Sequence, residues 1–559
     1  MTQYKISIHD KTYNNWTIYD AISHNIINDL DITPHKEKLF NGDIFTYENN
    51  NCTIIHSIIR NTVQMPGVLL LDNNIYGKYK NKYIYKCIPD DKHLPIFLIP
   101  FEEKNIGFSK KKVNKYITLQ FKSWSDTHPT AIIKNNIGSV EDLNNFYEYQ
   151  LFCKSLNSSI QGFGKDAKRS INRINTKNTF YEIISKFKIE ERTTAFIFSI
   201  DGNNTQDFDD AFSITEEEDS AILSIYITNV AIWIDVLNLW NSFSERISSI
   251  YLPDRKRPML PTVLTNILCS LYKNEQRIAI VMDIHFKNNK LTQITYSNVA
   301  IKVSENYYHT SINTDNKYYK LLYKYTKLLF NTNRLIKSIE NTHDVVSYLM
   351  MYMNYNTAKI LSQNNCGVFR SLSINNTVIP NNIPNSLYKF IRVWNSSSGQ
   401  YTLEKSKPHE LLEFDSYIHI TSPMRRLVDL LNIIKIQQIF KLYSFTDEAI
   451  TFYNTWITKI DYINITTRSI RKIQLDCNLL HWCNTQDNLT QVIYEGYVFD
   501  KIERSDGLFQ YMVFINEINM ASRITIRHNL INYSKHNFTL HIFNKKDTFK
   551  KKVRLHLNE

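Results

Sequence analysis

Four aspartates that directly follow an apolar segment constrain this chain more than any other feature. Asp201, Asp207, Asp209 and Asp210 fall within ten residues, and the preceding run 195–200 is typical of a buried strand. Two like charges ~4 Å apart repel by about 4 kcal/mol at an effective dielectric of ~20, so crowded carboxylates beside a core need a cation. Carboxylate oxygens suit a hard ion. The pattern therefore predicts a Mg²⁺ site, with Mn²⁺ as a substitute ion.

Two other interpretations compete with the metal site. An EF-hand calcium loop that starts at Asp201 needs Gly at its sixth position and Glu at its twelfth, where this chain has Gln206 and Phe212. That interpretation is rejected. A solvated acidic loop is the usual fate of a charge run, and spacing alone leaves it open.

Length and composition set the class of protein. A chain of 559 residues is long enough for several domains, since single cores stop growing beyond roughly 250 to 300 residues. No stretch approaches the ~18 uncharged residues of a membrane span, and the seven cysteines are scattered singly. We expect reduced thiols, no membrane partner and a cytoplasmic or otherwise intracellular location.

The net charge of +12 and a pI near 9.0 favour nucleic acid as the partner. Abundant Asn, Ile, Lys and Tyr, with only 12 glycines and 13 prolines, are also typical of an A+T-rich genome. Charge alone is therefore weak support.

Residues 1–145 contain short β-type segments between turns, which predicts small barrels of the OB or cold-shock type. Aromatic residues and lysines interleave at 76–80 and 108–112, as they do on single-strand-binding surfaces. Ordinary surface hairpins are an equal alternative. A helical region at 142–156 and a polar, basic connector at 162–178 lead to the aspartates, so residues 146–185 form a predicted connector.

Two later segments carry candidate binding residues. The stretch 246–261 has prolines at 253, 258 and 261 that forbid a regular element across it, and it presents Tyr251 and Arg255 as substrate-binding candidates. The alternative is that this stretch is only a connection. In the second segment, Ser422 is a good N-cap and Pro423 suits the first helical position, which would place Arg425 and Arg426 in the first helical turn. There they would clamp a phosphate; the alternative is a pair of surface arginines with acidic partners such as Asp429.

These motifs together resemble the RNase II/RNase R family of processive 3′-to-5′ exoribonucleases. The resemblance rests on four motifs in order and spacing: the aspartates of 201–211, Ser249 to Pro261, Leu268-Cys269-Ser270-Leu271, and Thr421 to Leu430. The family places cold-shock-type barrels before an RNB catalytic domain and an S1-type barrel after it. The resemblance thus implies domains at 1–145, 146–185, 186–487 and 488–559.

The resemblance also implies roles for the candidate residues. Asp201, Asp207 and Asp210 would hold Mg²⁺, and Asp209 would act most directly in the chemistry by binding metal or the attacking water. Tyr251 would stack on a base near the 3′ end, and Arg425 would bind the scissile phosphate, with Arg255 and Arg426 as further RNA contacts.

The chain departs from the family pattern at two places near the site. Asn229 replaces a carboxylate that the family usually carries, and Ser347 and Tyr348 stand where acidic residues are common. These departures put the rate or the end-product length in doubt more than the type of reaction.

The sequence of the C-terminal region predicts one more barrel, which would bind RNA. Residues 501–559 hold 11 Lys/Arg against 5 Asp/Glu, which codon bias explains less easily. A solvated barrel face is the alternative.

The sequence as a whole predicts an α+β catalytic domain between OB barrels. The predicted activity is metal-dependent hydrolysis of single-stranded RNA to nucleoside 5′-monophosphates by a monomer. Two alternatives stay open, namely an RNA-binding or scaffold protein with a silent site and a structure-specific or DNA-directed nuclease.

Overall fold

The chain divides into two compact units. The computed structural model describes residues 2–72, 74–102, 112–203, 205–374, 379–380, 382–396, 399–405, 407–486, 491–544 and 549–558. The first unit comprises Met1–Asn157, Leu252–Arg255 and Lys472–Glu559, and the second comprises Ser158–Tyr251 and Lys256–Arg471. Most of the predicted basic loop 108–112 and the predicted boundary at 487/488 lie outside the described residues. The predicted division into four segments stays a prediction.

Two curled β-sheets form the N-terminal part of the first unit. The first has the strand order β3-β2-β1-β4-β5, and the second has the order β6-β10-β11-β9-β8-β7 with a further β6–β8 pairing that closes it. One apolar core, from Ile6 to Ala131, is shared by both sheets. The elements are β1 (Tyr4–Ile8), β2 (Trp16–Asp20), β3 (Ile26–Ile27), β4 (Ile44–Glu48), β5 (Asn51–His56), α1 (Ile58–Asn61), β6 (Met65–Leu69), β7 (Lys78–Tyr79), β8 (Lys82–Pro89), β9 (Phe97–Phe101), β10 (Lys115–Ser123) and β11 (Thr130–Ser139).

The predicted connector is helical throughout most of its length. Helix α2 (Leu143–Cys153) begins at Asp142, whose carboxylate accepts a hydrogen bond from the Asn144 backbone N–H. The polar, basic stretch folds into α3 (Gln161–Arg173) and α4 (Thr176–Phe187). Each of these two helices buries an apolar face, which explains how a segment rich in lysine and arginine still forms regular structure.

A mixed sheet and a set of helices form the second unit. The sheet order is β12-β19-β18-β15-β14-β13-β20, and its central strands β15 and β18 are almost completely buried. The strands are β12 (Glu190–Arg192), β13 (Phe198–Asp201), β14 (Asp210–Glu216), β15 (Ser220–Thr228), β16 (Ile250–Tyr251), β17 (Lys256–Arg257), β18 (Gln276–Lys287), β19 (Lys290–Lys302), β20 (Glu305–Tyr308), β21 (Phe369–Ser371) and β22 (Gln400–Thr402). The helices are α5 (Val230–Val236), α6 (Thr262–Leu264), α7 (Lys317–Thr332), α8 (Thr342–Gln363), α9 (Asn385–Trp394), α10 (Leu427–Ile439), α11 (Asp447–Thr458) and α12 (Ile460–Thr485), the last of which continues into the first unit.

The C-terminal part of the first unit is a further barrel-like sheet. Its order, β25-β24-β23-β26-β27, is the same as in the first N-terminal sheet. Its strands are β23 (Tyr494–Glu503), β24 (Phe509–Ile515), β25 (Met520–Ile526), β26 (Lys535–Asn544) and β27 (Lys551–Asn558). The Tyr116 hydroxyl donates to the Phe549 carbonyl at 2.8 Å, and Lys550 forms an ion pair with Asp90 at 2.7 Å. These contacts join the C-terminal sheet to the N-terminal ones.

The predicted α+β class is confirmed, with OB-type barrels that precede and follow the mixed sheet along the chain. Within the residues that the structure describes, no helix is both long and apolar enough to cross a membrane. The first strand predicted from the sequence is at 42–46, so the prediction missed β1, β2 and β3.

A buried carboxylate stabilises the second unit and gives a direct test of its packing. Asp235 is 3% exposed and accepts hydrogen bonds from Trp240 Nε1 at 2.7 Å, Thr446 Oγ1 at 2.6 Å and Tyr443 Oη at 3.1 Å. Because Asp235→Ala would leave these donors unpaired, we expect it to lower the free energy of unfolding by about 3 kcal/mol or more. Urea unfolding followed by circular dichroism measures the change. The same substitution at exposed Asp415 is the control, and equal losses at the two positions would contradict this role.

Candidate active site

The aspartates lie where two adjacent strands meet a loop. Asp201 is the last residue of β13 and Asp210 is the first of β14. The loop between them is fixed by backbone contacts: the Phe208 N–H donates to Ser270 Oγ at 3.0 Å, and the Thr228 N–H donates to the Asp209 carbonyl at 2.9 Å. The 268–271 motif therefore helps to position the aspartates.

Asp209 is the most firmly held of the four. Its side chain is 2% exposed; Oδ1 accepts a hydrogen bond from the Met424 N–H at 3.1 Å, and Oδ2 accepts one from Arg425 Nε at 3.0 Å. Burial raises the pKa of Asp209 to about 6 and outweighs the opposite effect of Arg425. Arg425 and the Met424 N–H favour the ionised form of the carboxylate, and that form orients the guanidinium.

The arginine motif has a different local structure from the predicted one. Helix α10 begins at Leu427, and its N-cap is Arg426 in an extended conformation. The prediction that Ser422 is the N-cap and that both arginines lie in the first helical turn is wrong, since Arg425 and Arg426 belong to a turn before the helix. Tertiary contacts explain the difference: Arg426 bridges to Ser248, and the Ser422 N–H donates to Asp429 Oδ1 at 2.7 Å.

The two arginines have different partners. Arg426 makes a bidentate contact with buried Asp429, at 2.8 Å from Nε to Oδ2 and 2.9 Å from Nη2 to Oδ1. Asp429 is thus the acidic partner that the alternative interpretation, a pair of surface arginines, predicted for this motif. Arg425 is about half exposed. It donates to Asp209 through Nε, so its two terminal guanidinium nitrogens are left to contact other groups. Arg425 is the better placed of the two to contact a substrate phosphate.

Asp201 and Asp210 have the properties that a cation site requires. Asp201 Oδ2 is buried without a hydrogen-bond partner, which is rare for a carboxylate oxygen. Burial, followed by the neighbouring Asp201 and Asp209 charges, raises the pKa of Asp210 well above its ordinary value. Within the described ranges no three His, Cys, Asp or Glu side chains are already arranged to hold a metal. The donor chemistry and the unpartnered oxygen nevertheless fit a hard divalent ion.

Asp207 is held by a residue that the sequence prediction missed. Lys256 Nζ forms an ion pair with its carboxylate, and the same ammonium group lies 5.8 Å from the centroid of the Tyr251 ring. A cavity of about 610 Å³ borders this pair, and Tyr272, Tyr308 and amide side chains line much of its remaining wall. This ion pair could not be predicted from the sequence, because Asp207 and Lys256 lie in separate motifs.

The proline-rich segment forms a short hairpin instead of an irregular loop. Strands β16 and β17 pair antiparallel, with Tyr251 opposite Lys256, and no proline lies in either strand. The Tyr251 side chain is 42% exposed, as a base-stacking residue must be. Arg255 belongs to the first unit, where its guanidinium contacts Glu148 at 3.2 Å.

The positions that depart from the family pattern are occupied by structural contacts. Asn229 is fully buried, and its Nδ2 donates to Asn298 Oδ1 and Gln437 Oε1, both at 2.9 Å. The Tyr348 hydroxyl donates to the Asn333 carbonyl at 2.9 Å. Asn229 thus completes an amide network with Asn298 and Gln437.

The first unit carries two basic surfaces. In the second N-terminal sheet, Tyr76, Tyr79 and Tyr83 are each more than 40% exposed, and lysines lie over their rings, as with Lys86 at 4.3 Å from the Tyr76 centroid. We call this the lysine–tyrosine surface. In the C-terminal sheet, a groove of about 700 Å³ runs between β25 and β27. Its basic lining residues are Arg523, Arg527, His528, Arg554 and His556.

Comparison with known proteins agrees with this architecture. The sequence profile of the RNB domain matches residues 190–320. Ribonuclease R of Chlamydia pneumoniae is 25% identical over 307 residues, which cover 42% of this chain and 45% of that protein. The chain spans less than half the length of the curated relatives it matches first, with aligned segments of 20% to 45%.

Solved structures share the whole fold. Mycoplasma genitalium RNase R in complex with ribose-methylated single-stranded RNA superposes with a TM-score of 0.69 at 14% identity, covering 99% of this chain and 100% of that one. Yeast Ssd1, described as a pseudonuclease, superposes with a TM-score of 0.59 at 13% identity, covering 96% and 80%. The fold and the aspartate–arginine site define an RNB-type protein with flanking OB barrels. The chain therefore contains an RNB domain, and it is similar to the RNase II/RNase R family in sequence and fold.

The amide network around Asn229 gives a test of whether this departure matters. Asn229→Asp would place a carboxylate among amide partners without a cation, so its folded-state pKa would lie above the unfolded value of about 3.9. We expect a destabilisation of about 1–3 kcal/mol that is larger at pH 7 than at pH 5, because a carboxylate whose pKa is raised on folding destabilises the fold increasingly as pH rises from the unfolded toward the folded pKa.

Urea unfolding at the two pH values measures this difference. Exposed Asn238→Asp is the matched control, and we expect it to change stability little at either pH. A gain of stability or of hydrolysis in the Asn229→Asp variant would show that the position serves the site directly.

Proposed function

We propose that this protein is a metal-dependent, processive 3′-to-5′ exoribonuclease that hydrolyses single-stranded RNA to nucleoside 5′-monophosphates. The observation that carries the proposal is the contact between Arg425 and Asp209 beside the buried carboxylates of Asp201 and Asp210. An arginine fixed next to clustered carboxylates can hold a phosphate while a cation shields the carboxylates.

Each side chain has a separate task in this proposal. Asp209 orients the Arg425 guanidinium, whose outer edge binds the phosphate next to the bond that is cleaved. Tyr251 stacks on a base near the 3′ end, because its ring is exposed on a short hairpin. Water attacks the phosphodiester bond, so no nucleophilic side chain is required.

The four aspartates would bind the cation. Asp201, Asp207, Asp209 and Asp210 are the residues that would hold Mg²⁺ or Mn²⁺, and Asp207 would have to exchange its ion pair with Lys256 for the metal. When bound, the metal would offset charge that develops on the phosphate and favour deprotonation of the attacking water.

The basic surfaces of the first unit support RNA as the polymer. Exposed tyrosines with lysines over their rings offer both stacking and phosphate contacts, which suits single strands of any sequence. The groove of the C-terminal sheet adds arginines and histidines. For Mycoplasma genitalium RNase R, complexes with single-stranded and with double-stranded RNA are known.

An RNA-binding protein with a silent site is the second candidate. The likeness to a pseudonuclease and the Asp207–Lys256 ion pair favour this alternative. Incubation of 5′-labelled single-stranded RNA with the protein in Mg²⁺ and in EDTA decides between the two. Stepwise shortening from the 3′ end in Mg²⁺ alone supports the exoribonuclease, whereas stable binding without shortening supports the silent site.

Asp209→Asn separates catalysis from binding. The substitution removes the charge that orients Arg425 and leaves the basic surfaces of the first unit intact, so we expect hydrolysis to fall by about 10³-fold or more. RNA affinity, measured by fluorescence anisotropy in EDTA, should change little. The control is Asp219→Asn at an exposed position. Equal losses of binding and turnover would contradict the assignment of Asp209 to the chemistry.

The C-terminal groove should contribute to the salt dependence of RNA binding. Affinity for single strands falls with salt by roughly 0.7 log units per neutralised phosphate for each log unit of salt. We therefore expect the double variant Arg527→Gln/Arg554→Gln to lower the slope by about 1.4, measured by anisotropy against potassium chloride in EDTA. Arg504→Gln, which removes an exposed arginine paired with Asp506 in the same sheet, is the control. An unchanged slope in the double variant would mean that the groove is solvated surface.

A further inference from the structure

The second unit contains a buried arginine that lacks a carboxylate partner. Arg370, in β21, is 8% exposed, and its guanidinium carbon lies 5.0 Å from the centroid of the Tyr401 ring. Among the described residues, no side chain forms an ion pair with it. A buried guanidinium is always charged, so it normally requires an anion to offset its desolvation.

The surroundings of Arg370 add positive charge instead of removing it. Arg426 and Arg471 act on Arg370 electrostatically, and Asp429, the carboxylate nearby, already forms the bidentate pair with Arg426. Burial, followed by Arg426 and Arg370, lowers the pKa of His419 far below its ordinary value. The cluster therefore has an excess of positive charge before any histidine is protonated.

Two further features indicate that the cluster is built to receive a ligand. His409 is 7% exposed, and its Nδ1 is buried without a hydrogen-bond partner. Gly399 lies so close to Arg370 that a Cβ at this position would be 2.5 Å from Nη2. The backbone at 399 thus forms one side of the guanidinium site, and any larger residue would displace the guanidinium.

We propose that Arg370 binds a phosphate group of the RNA chain, at a site separate from the phosphate held by Arg425. The cluster adjoins the candidate active site, since Arg426 interacts electrostatically with both Arg370 and Asp209. The inference rests on the proposed function for the identity of the ligand. A phosphate bound by the planar fork of Arg370 would supply the charge that the protein itself does not provide.

Removal of the Arg370 charge should weaken RNA binding without lowering the stability of the RNA-free protein. Arg370→Gln removes an uncompensated buried charge, so the RNA-free protein should melt at the same temperature as the wild type or higher. The same variant should bind 5′-labelled single-stranded RNA at least about tenfold more weakly in EDTA. Its slope against potassium chloride should fall by about 0.7.

Two matched variants complete the experiment. Arg370→Lys keeps the charge but loses the fork, so its salt slope should stay at the wild-type value while its affinity falls. Arg392→Gln, which removes a more exposed arginine from its pair with Glu413, should change neither quantity.

The outcomes distinguish the inference from the proposed function. If wild-type protein binds and shortens RNA but Arg370→Gln binds equally well, the inference is overturned and the proposed function stands. A variant that melts several degrees lower also overturns the inference, because Arg370 would then stabilise the fold itself. Wild-type protein that binds no RNA would overturn both.

Discussion

The contact between Asp209 and Arg425 is the interaction on which the site depends. It joins residues 216 positions apart. It also places a guanidinium beside the buried carboxylate of Asp209, whose negative charge would otherwise be destabilising. The adjacent Asp201 and Asp210 have no such partner in the described structure, so their charges remain to be offset. The Asp209–Arg425 pair holds the arginine in place, and the carboxylates of Asp201 and Asp210 are the reason that we propose a metal there.

The sequence predicted those parts of the site that depend on local pattern. The position of Asp201 at the end of a strand follows from an apolar run and the turn after it, and the structure confirms it. The start of helix α10 was predicted wrongly because the capping signal of Ser422 competes with contacts that are distant in sequence. Arg426 forms an isolated β-bridge with Ser248, and Asp429 accepts a hydrogen bond from the Ser422 backbone. Pairings such as Asp207–Lys256 have no local signature at all.

The positive charge of the chain occurs in three physical states, which the total of +12 does not distinguish. Some cations are neutralised by carboxylates, as Arg426 is by Asp429. Others lie over aromatic rings, as Lys86 does over Tyr76, and remain open to solvent. Arg370 is buried without a carboxylate. A biased codon usage can explain how many lysines there are, but it cannot explain where these cations are placed.

The contacts of Tyr116 with Phe549 and of Asp90 with Lys550 have a consequence for how the protein is made. Residues of the N-terminal sheets emerge from the ribosome before the second unit, yet part of their packing surface is supplied by a segment more than 400 residues later. The second unit is synthesised between them, so it can fold while the first unit is still incomplete. During that interval the N-terminal sheets expose the surface that the later segment covers, which makes them the region where chaperone binding would matter most.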